Sequence, residues 1–343
     1  MGALIAPKIA ARDHARSPPE ITNDRLRNRE REPMPELAIQ THALTRVFDQ
    51  VRALDNLTLE VPAGSVFGFL GPNGAGKTTT IRLLLGLIEP TSGSATVLGF
   101  DTRMQGAEIR ARSGALLEHS GLYERMSAED NLRFFGRIAQ MPKQRVEERI
   151  RELLAHLGLW DRRKEAVVKW SRGMKQKLAI ARPLLHSPAL VFLDEPTAGL
   201  DPVAAASLRE DLAALASRQG STIFLTTHNM AEAEKLCHRV GVVREGKLLA
   251  VGSPSELRSR GGARRAEIQG RGFSESMLAM LKHQASVSEA SLENGRLMLT
   301  LKDGGDVAPL VSLIVREGGE VQQVRSGEGS LEDVFLKLME EES

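Results

Sequence analysis

The chain has 343 residues, 41% of them hydrophobic, which is long enough for roughly two domains with real cores. Its net charge of +2 gives no general argument for nucleic acid, and its one cysteine, Cys237, excludes an internal disulfide and fits a reducing compartment. No apolar run approaches the roughly 18 residues needed to cross a bilayer, so any membrane role is expected to come through a partner.

Residues 1–35 mix Arg, Pro, Asp and Glu with little periodicity and read as a mobile tail, since interleaved acids weaken any basic surface anchor. The start of the chain lacks a signal-peptide core, and Ala6 stands where a myristoylation signal needs Ser or Thr. Met34 directly precedes the first expected strand and offers an alternative start. Leu37 to Phe48 and Leu54 to Val61 alternate apolar and polar residues around Asp49-Gln50, which predicts two antiparallel strands. Phe48 ends the first, where its ring could stack on a nucleobase or simply cap the local core.

Ser65 to Leu70 reads as a short buried strand and Thr79 to Leu87 has helical apolar spacing. Between them Gly71, Pro72, Asn73, Gly74, Ala75, Gly76, Lys77, Thr78 and Thr79 take the Gly-x-x-x-x-Gly-Lys-Thr form of a phosphate-binding loop. Glycines keep the backbone bare, so successive N–H groups can close on phosphate oxygens at the positive end of a helix. Lys77 would reach the terminal phosphates and Thr78 would face a magnesium ion.

Strands are expected at Gly93 to Leu98 and at Ser113 to Leu117, the latter leading to Glu118. Ser127, with Glu129 and Asp130 after it, starts a helical insert running to about Leu159 with a break near Met141-Pro142. Ser171 caps a further helix whose opening, with Gly173, offers a second phosphate site that is weak when taken alone. Ala189 to Leu193 is an apolar strand ending in Asp194 and Glu195. Asp194 can hold magnesium through water, while Glu195 can orient or deprotonate an attacking water. After Asp201-Pro202 come a helix to about Ser217, a strand from Ser221 to Thr227, and His228, placed to contact the terminal phosphate or the water. His42, His119, His156, His186 and His238 are read as structural.

The last third predicts strand, helix, strand, an Asn294-Gly295 turn, strand, helix and strand between Arg265 and Arg325. That βαββαβ order suggests a small ferredoxin-like domain, entered through a Gly261-Gly262 linker and closed by an amphipathic helix over Ser330 to Met339.

Together, the stretches from about Leu37 to Pro254 resemble the ATP-binding subunit of ABC transporters. The resemblance implies an α/β P-loop ABC ATPase domain over 36–258, built from a mixed sheet core, an antiparallel β subdomain and a helical subdomain. A small α+β ferredoxin-like domain over 263–343 completes the chain. It further implies Phe48 as the adenine-stacking aromatic, Gly71 to Thr79 as the phosphate loop and Ser171 to Lys175 as the signature segment. Asp194 then resembles the magnesium carboxylate, Glu195 the catalytic base, Asp201 part of the loop that communicates across the dimer, and His228 the switch histidine. Glu118 stands where a magnesium-touching glutamine is usual, which keeps a metal-binding oxygen and adds negative charge. Trp170, Arg172 and Met174 depart from the usual Leu-Ser-Gly-Gly-Gln signature, while Ser171 and Gly173 keep it. Gly121 to Tyr123 and Gly173 to Gln176 resemble bacterial exporters of the drug, sodium or polysaccharide type.

The expected function is therefore ATP hydrolysis with magnesium, by a homodimer driving a separate ABC-type membrane permease. The chain is expected in the cytoplasm, peripheral on the inner face of the cell membrane and touching the membrane only through the permease, with no direct nucleic-acid partner. The rival is a soluble ABC ATPase switch on ribosomes or DNA. Such proteins usually carry two ATPase domains or a coiled-coil insert, and the sequence has neither a second phosphate loop nor a heptad run. A GTP switch would need an Asn-Lys-x-Asp segment, which is absent, and a nucleotide kinase would not explain Ser171 to Lys175 with His228.

Overall fold

A computed structural model describes residues 35–118, 120–260, 264–293, 295–302, 305–328 and 330–340. The expected N-terminal tail, His119, the Gly261-Gly262 linker and Asn294 of the expected turn lie outside the described residues.

The first two strands, β1 (Leu37–Phe48) and β2 (Val51–Pro62), pair antiparallel, and β1 also pairs antiparallel with β4 (Ser92–Val97). With β5 (Phe100–Asp101) they make a four-stranded sheet in the order β2-β1-β4-β5. A six-stranded sheet lies beside it and contains β3 (Val66–Leu70), β6 (Ser113–Leu116), β7 (Leu190–Asp194), β8 (Thr222–Thr227), β9 (Arg239–Arg244) and β10 (Lys247–Gly252). Its order is β10-β9-β3-β8-β7-β6, with every neighbouring pair parallel except β10 and β9.

The period of two along these central strands sorts their side chains into two cores. Phe67, Phe69, Leu190, Phe192 and Phe224 enter the core shared with the antiparallel sheet and with α1 (Lys77–Leu84). Val66, Leu70, Val191, Leu193, Ile223 and Leu225 point the other way, into a core filled by helices. With both faces covered, β3 and β7 are buried at every residue, which explains their near-continuous apolar sequence. Phe224 is the hinge of the first core, with its ring centroid 5.7 Å from Phe67, 5.6 Å from Phe69 and 5.8 Å from Phe192.

After the short α2 (Gly106–Arg112), the insert forms α3 (Ala128–Ile138) and α4 (Lys143–His156), broken as expected before Pro142. Ser127 caps α3 by accepting from Asp130 N at 3.2 Å. Next come α5 (Arg172–Leu184), α6 (Pro202–Gln219) and α7 (Met230–Leu236). The predicted Ser171 cap is present, and Asp201 caps α6 with bonds from Val203 N at 3.1 Å and Ala204 N at 2.9 Å.

Three seven-residue helices, α2, α7 and α8 (Pro254–Arg260), were not anticipated. The segment Gly246 to Pro254 reads from sequence as an ending, yet α8 continues from it, with Leu257 fully buried. Seven residues between a strand and a glycine pair are too few to show a helical period.

Beyond it, β11 (Arg264–Arg271), α9 (Glu275–Lys282), β12 (Val287–Glu293), β13 (Arg296–Leu301), α10 (Ala308–Arg316) and β14 (Glu320–Glu328) follow the predicted order. Their antiparallel sheet runs β12-β13-β11-β14, the ferredoxin-like arrangement, over a core that includes Ile268, Leu297, Leu299 and Ile314. The last helix, α11 (Leu331–Glu340), does not join that core. It places Leu331 and Val334 in the helical core of the larger region, and Leu331 N donates to Glu234 Oε1 on α7 at 2.9 Å.

Candidate nucleotide site

The parallel strands β3, β7 and β8 end side by side, and the segments following them carry the candidate residues. The loop after β3 closes tightly. Gly76, at φ 94°, stands against β2, where a Cβ would collide with the carbonyl oxygen of Ala53. Gly71 is equally confined, because a Cβ there would strike Val243 O on β9. The loop is tied to the sheet by Gly71 N donating to Thr227 O at 3.2 Å and Gly246 N donating to Ala75 O at 3.2 Å. Pro72, Asn73 and Gly74 form its outer turn, and α1 begins at Lys77, with Thr78 and Thr79 in its first turn.

Lys77 is only 7% exposed, and its Nζ bonds Gly71 O at 2.7 Å and Pro72 O at 3.1 Å. The same ammonium lies 3.0 Å from Glu195 Oε1, and the other carboxylate oxygen of Glu195 lies 2.8 Å from His228 Nδ1. Beside this chain, Thr78 Oγ1 donates to Asp194 Oδ2 at 2.6 Å, while Thr226 Oγ1 donates to Asp194 Oδ1. Lys77, Thr78, Asp194, Glu195 and His228 are thus brought together from three strand ends.

Thr226 was not among the sequence candidates. Besides fixing Asp194, its hydroxyl accepts from Glu195 N at 3.1 Å. Glu195 needs that hold, because it has a φ of 49°, a left-handed conformation costly for a residue with a side chain. The available signal was the Thr226-Thr227 pair just before His228, at a strand end that already suggested a ligand site.

The remaining candidates stand apart from the cluster. Phe48, 39% exposed, ends β1 with the Arg46 guanidinium 4.3 Å above its ring. Glu118 is exposed beyond β6 and pairs with Arg82 at 3.3 Å. Ser171 and Gly173 open α5, where the Cα of Gly173 faces Ala204 of α6. Arg172, which replaces a glycine of the usual signature, reaches Ala198 O at 3.3 Å and packs over Gly199 in the turn after Glu195.

Asp194 and Thr78 offer hard oxygens on a rigid support, the donor set that suits magnesium when substrate phosphates complete its shell. Among the described residues no group of three or more His, Cys, Asp or Glu is placed to hold a metal ion. No helix among them is long and apolar enough to cross a membrane.

A model of the ABC transporter family matches residues 54–198, and one for the C-terminal domain of DrrA1-3-like ATP-binding proteins matches residues 252–339. The chain is 37% identical over 301 residues to the bacitracin transport ATP-binding protein BcrA of Bacillus licheniformis, covering 88% of this chain and 97% of the relative. It is 38% identical to the Nod factor export ATP-binding protein I of Cupriavidus metallidurans, over 88% of this chain and 96% of the relative. Among solved structures, that of an ATP-binding subunit of an ABC transporter superposes with a TM-score of 0.58 at 30% identity, over 65% of this chain and 92% of the other.

Proposed function

The chain belongs to the ATP-binding subunits of ABC transporters and is an ATPase, and from that premise we propose that it powers export through a separate membrane permease. The observation that carries the reading is the continuous contact from Lys77 through Glu195 to His228, with Thr78 and Asp194 alongside. Each of these groups suits one part of phosphoryl transfer to water.

The loop Gly71 to Gly76, with Lys77 to Thr79, receives the phosphates of ATP, and the ring of Phe48 receives the adenine. Lys77 then exchanges its ion pair with Glu195 for phosphate oxygens, which releases that carboxylate toward a water. Glu195 accepts the proton of the attacking water as the new P–O bond forms and the β–γ bridging bond breaks. His228 holds Glu195 through Nδ1 and turns its exposed ring toward the γ-phosphate. Thr78 and Asp194 would hold magnesium, and Glu118 would join them only by leaving its pair with Arg82. That ion, when bound, neutralises charge across the phosphate oxygens. Ser171 and Gly173 of a second copy would complete the site, so turnover requires a head-to-tail homodimer. We place the ATPase domain at 36–258 and the accessory domain at 263–343, with the chain on the inner face of the cell membrane, held there by the permease.

The test is to tag the chain, extract native membranes in mild detergent and identify what copurifies. A stoichiometric polytopic membrane protein is the expected result. Ribosomes or DNA-bound proteins without a membrane partner would overturn the transporter assignment.

A further inference from the structure

Behind His228 lies a buried acid that the reaction above does not use. Glu232, on the first turn of α7, is completely buried, with 0% of its surface exposed. Its Oε2 accepts the hydroxyl proton of Thr227 at 2.6 Å. That hydroxyl in turn accepts from Asn229 N at 3.0 Å, and the Asn229 side chain accepts from Glu232 N at 3.1 Å. Residues 227 to 232 are therefore closed into a small ring of hydrogen bonds, and His228 is the residue the ring presents. The other oxygen, Oε1, is buried without a hydrogen bond of good geometry among the described residues. The Thr197 hydroxyl, from the turn after Glu195, stands beside the same carboxyl.

A carboxyl in this position is costly. Burial pushes its pKa up, against the pull of the Thr227 and Thr197 hydroxyls and of Arg209. An apolar side chain would fill the space at lower cost, so packing alone does not account for an acid here. What the acid supplies is directional. It fixes the rotamer of Thr227, whose backbone carbonyl also receives Gly71 N of the phosphate loop at 3.2 Å. From one buried point it touches the turn that carries His228 and faces the turn that follows Glu195.

We propose that Glu232 is a positioning residue for the hydrolytic reaction, holding the Thr227–Asn229 turn so that His228 Nδ1 meets Glu195. This deepens, and rests on, the assignment of Glu195 and His228 to ATP hydrolysis. The geometric half of the proposal needs no nucleotide, which allows the two to fail separately.

The experiment uses the full chain labelled with 15N-histidine, the His228 imidazole signal being identified by its loss in His228→Ala. In Glu232→Ala the Nδ1 resonance moves toward its position in Glu195→Ala, and kcat for ATP falls about tenfold while the Kd for ATP stays within about twofold, as expected for one lost orienting bond. Glu232→Gln, which keeps an acceptor at the same place, leaves the resonance and kcat near the parent values. If Glu232→Ala does not fold, Thr227→Val removes the same link at constant shape and shifts the same resonance, whereas Thr227→Ser does not. A lowered melting temperature with an unmoved His228 resonance would mean a purely structural acid and overturns the proposal. A chain that shows the resonance shifts but never hydrolyses ATP would break the proposed function and, with it, the catalytic half of this inference, leaving only the geometric hold on His228.

Discussion

The strand ends of the central sheet and the four-stranded C-terminal sheet bury opposite kinds of surface. Around the former, Lys77, Asp194, Thr226, Thr227 and Glu232 are all less than a tenth exposed. Among the described residues the C-terminal core buries only apolar side chains, and its ion pairs Arg265–Asp333 and Arg296–Glu267 lie at the surface, with their arginines 50% and 49% exposed. Buried polar groups are costly unless each is partnered, so a linked cluster of them at one set of strand ends needs a reason beyond packing. The contrast separates a region built to react from one built to hold a shape.

The strongest way to break this contrast is Lys77→Ala, which removes the buried cation from the cluster. ATP turnover of the purified full chain is expected to fall by about a thousandfold or more. Retained turnover would show that the buried charge is not the reactive centre. Glu195→Gln should lose about a hundredfold or more in turnover while still binding ATP, because the amide cannot accept the proton. It should also accumulate a closed dimer, and light scattering that reports only monomer with ATP would count against Glu195 as the base.

On the other side of the comparison, Leu299→Ala should cost about 2–5 kcal/mol in chemical unfolding, since Leu299 is 1% exposed in the C-terminal core. ATP affinity should not change, and a large change would show that the two regions are not separable in energy. The smallest effect is expected for Arg296→Ala, under about 1 kcal/mol in the same assay, because the pair with Glu267 is half in water.

Much of this was legible because the decisive signals are local. Alternation marks β1 and β2, the glycine spacing marks the phosphate loop, and Ser127, Ser171 and Asp201 mark helix starts through their own caps. The signals missed were weaker. Helices α2, α7 and α8 are each too short for a period to register, and Thr226 and Glu232 look like ordinary strand-end and helical residues until their neighbours are in place. Glu118 was legible only by its position relative to a family pattern, and its observed pairing with Arg82 could not have been read from either stretch.

The sequence by itself determined a phosphate loop between strand and helix, a carboxylate pair and a histidine at strand ends, and a βαββαβ ending. These depend on backbone freedom, capping and periodicity within a few residues. Tertiary structure alone decided that Thr78 meets Asp194 across 116 positions, that Glu195 is gripped between Lys77 and His228, and that α11 turns back onto α7. Those meetings follow from the parallel register of β3, β8 and β7, which aligns the ends of strands far apart in the chain. No local preference specifies that alignment. It comes from burying both faces of the central sheet at once.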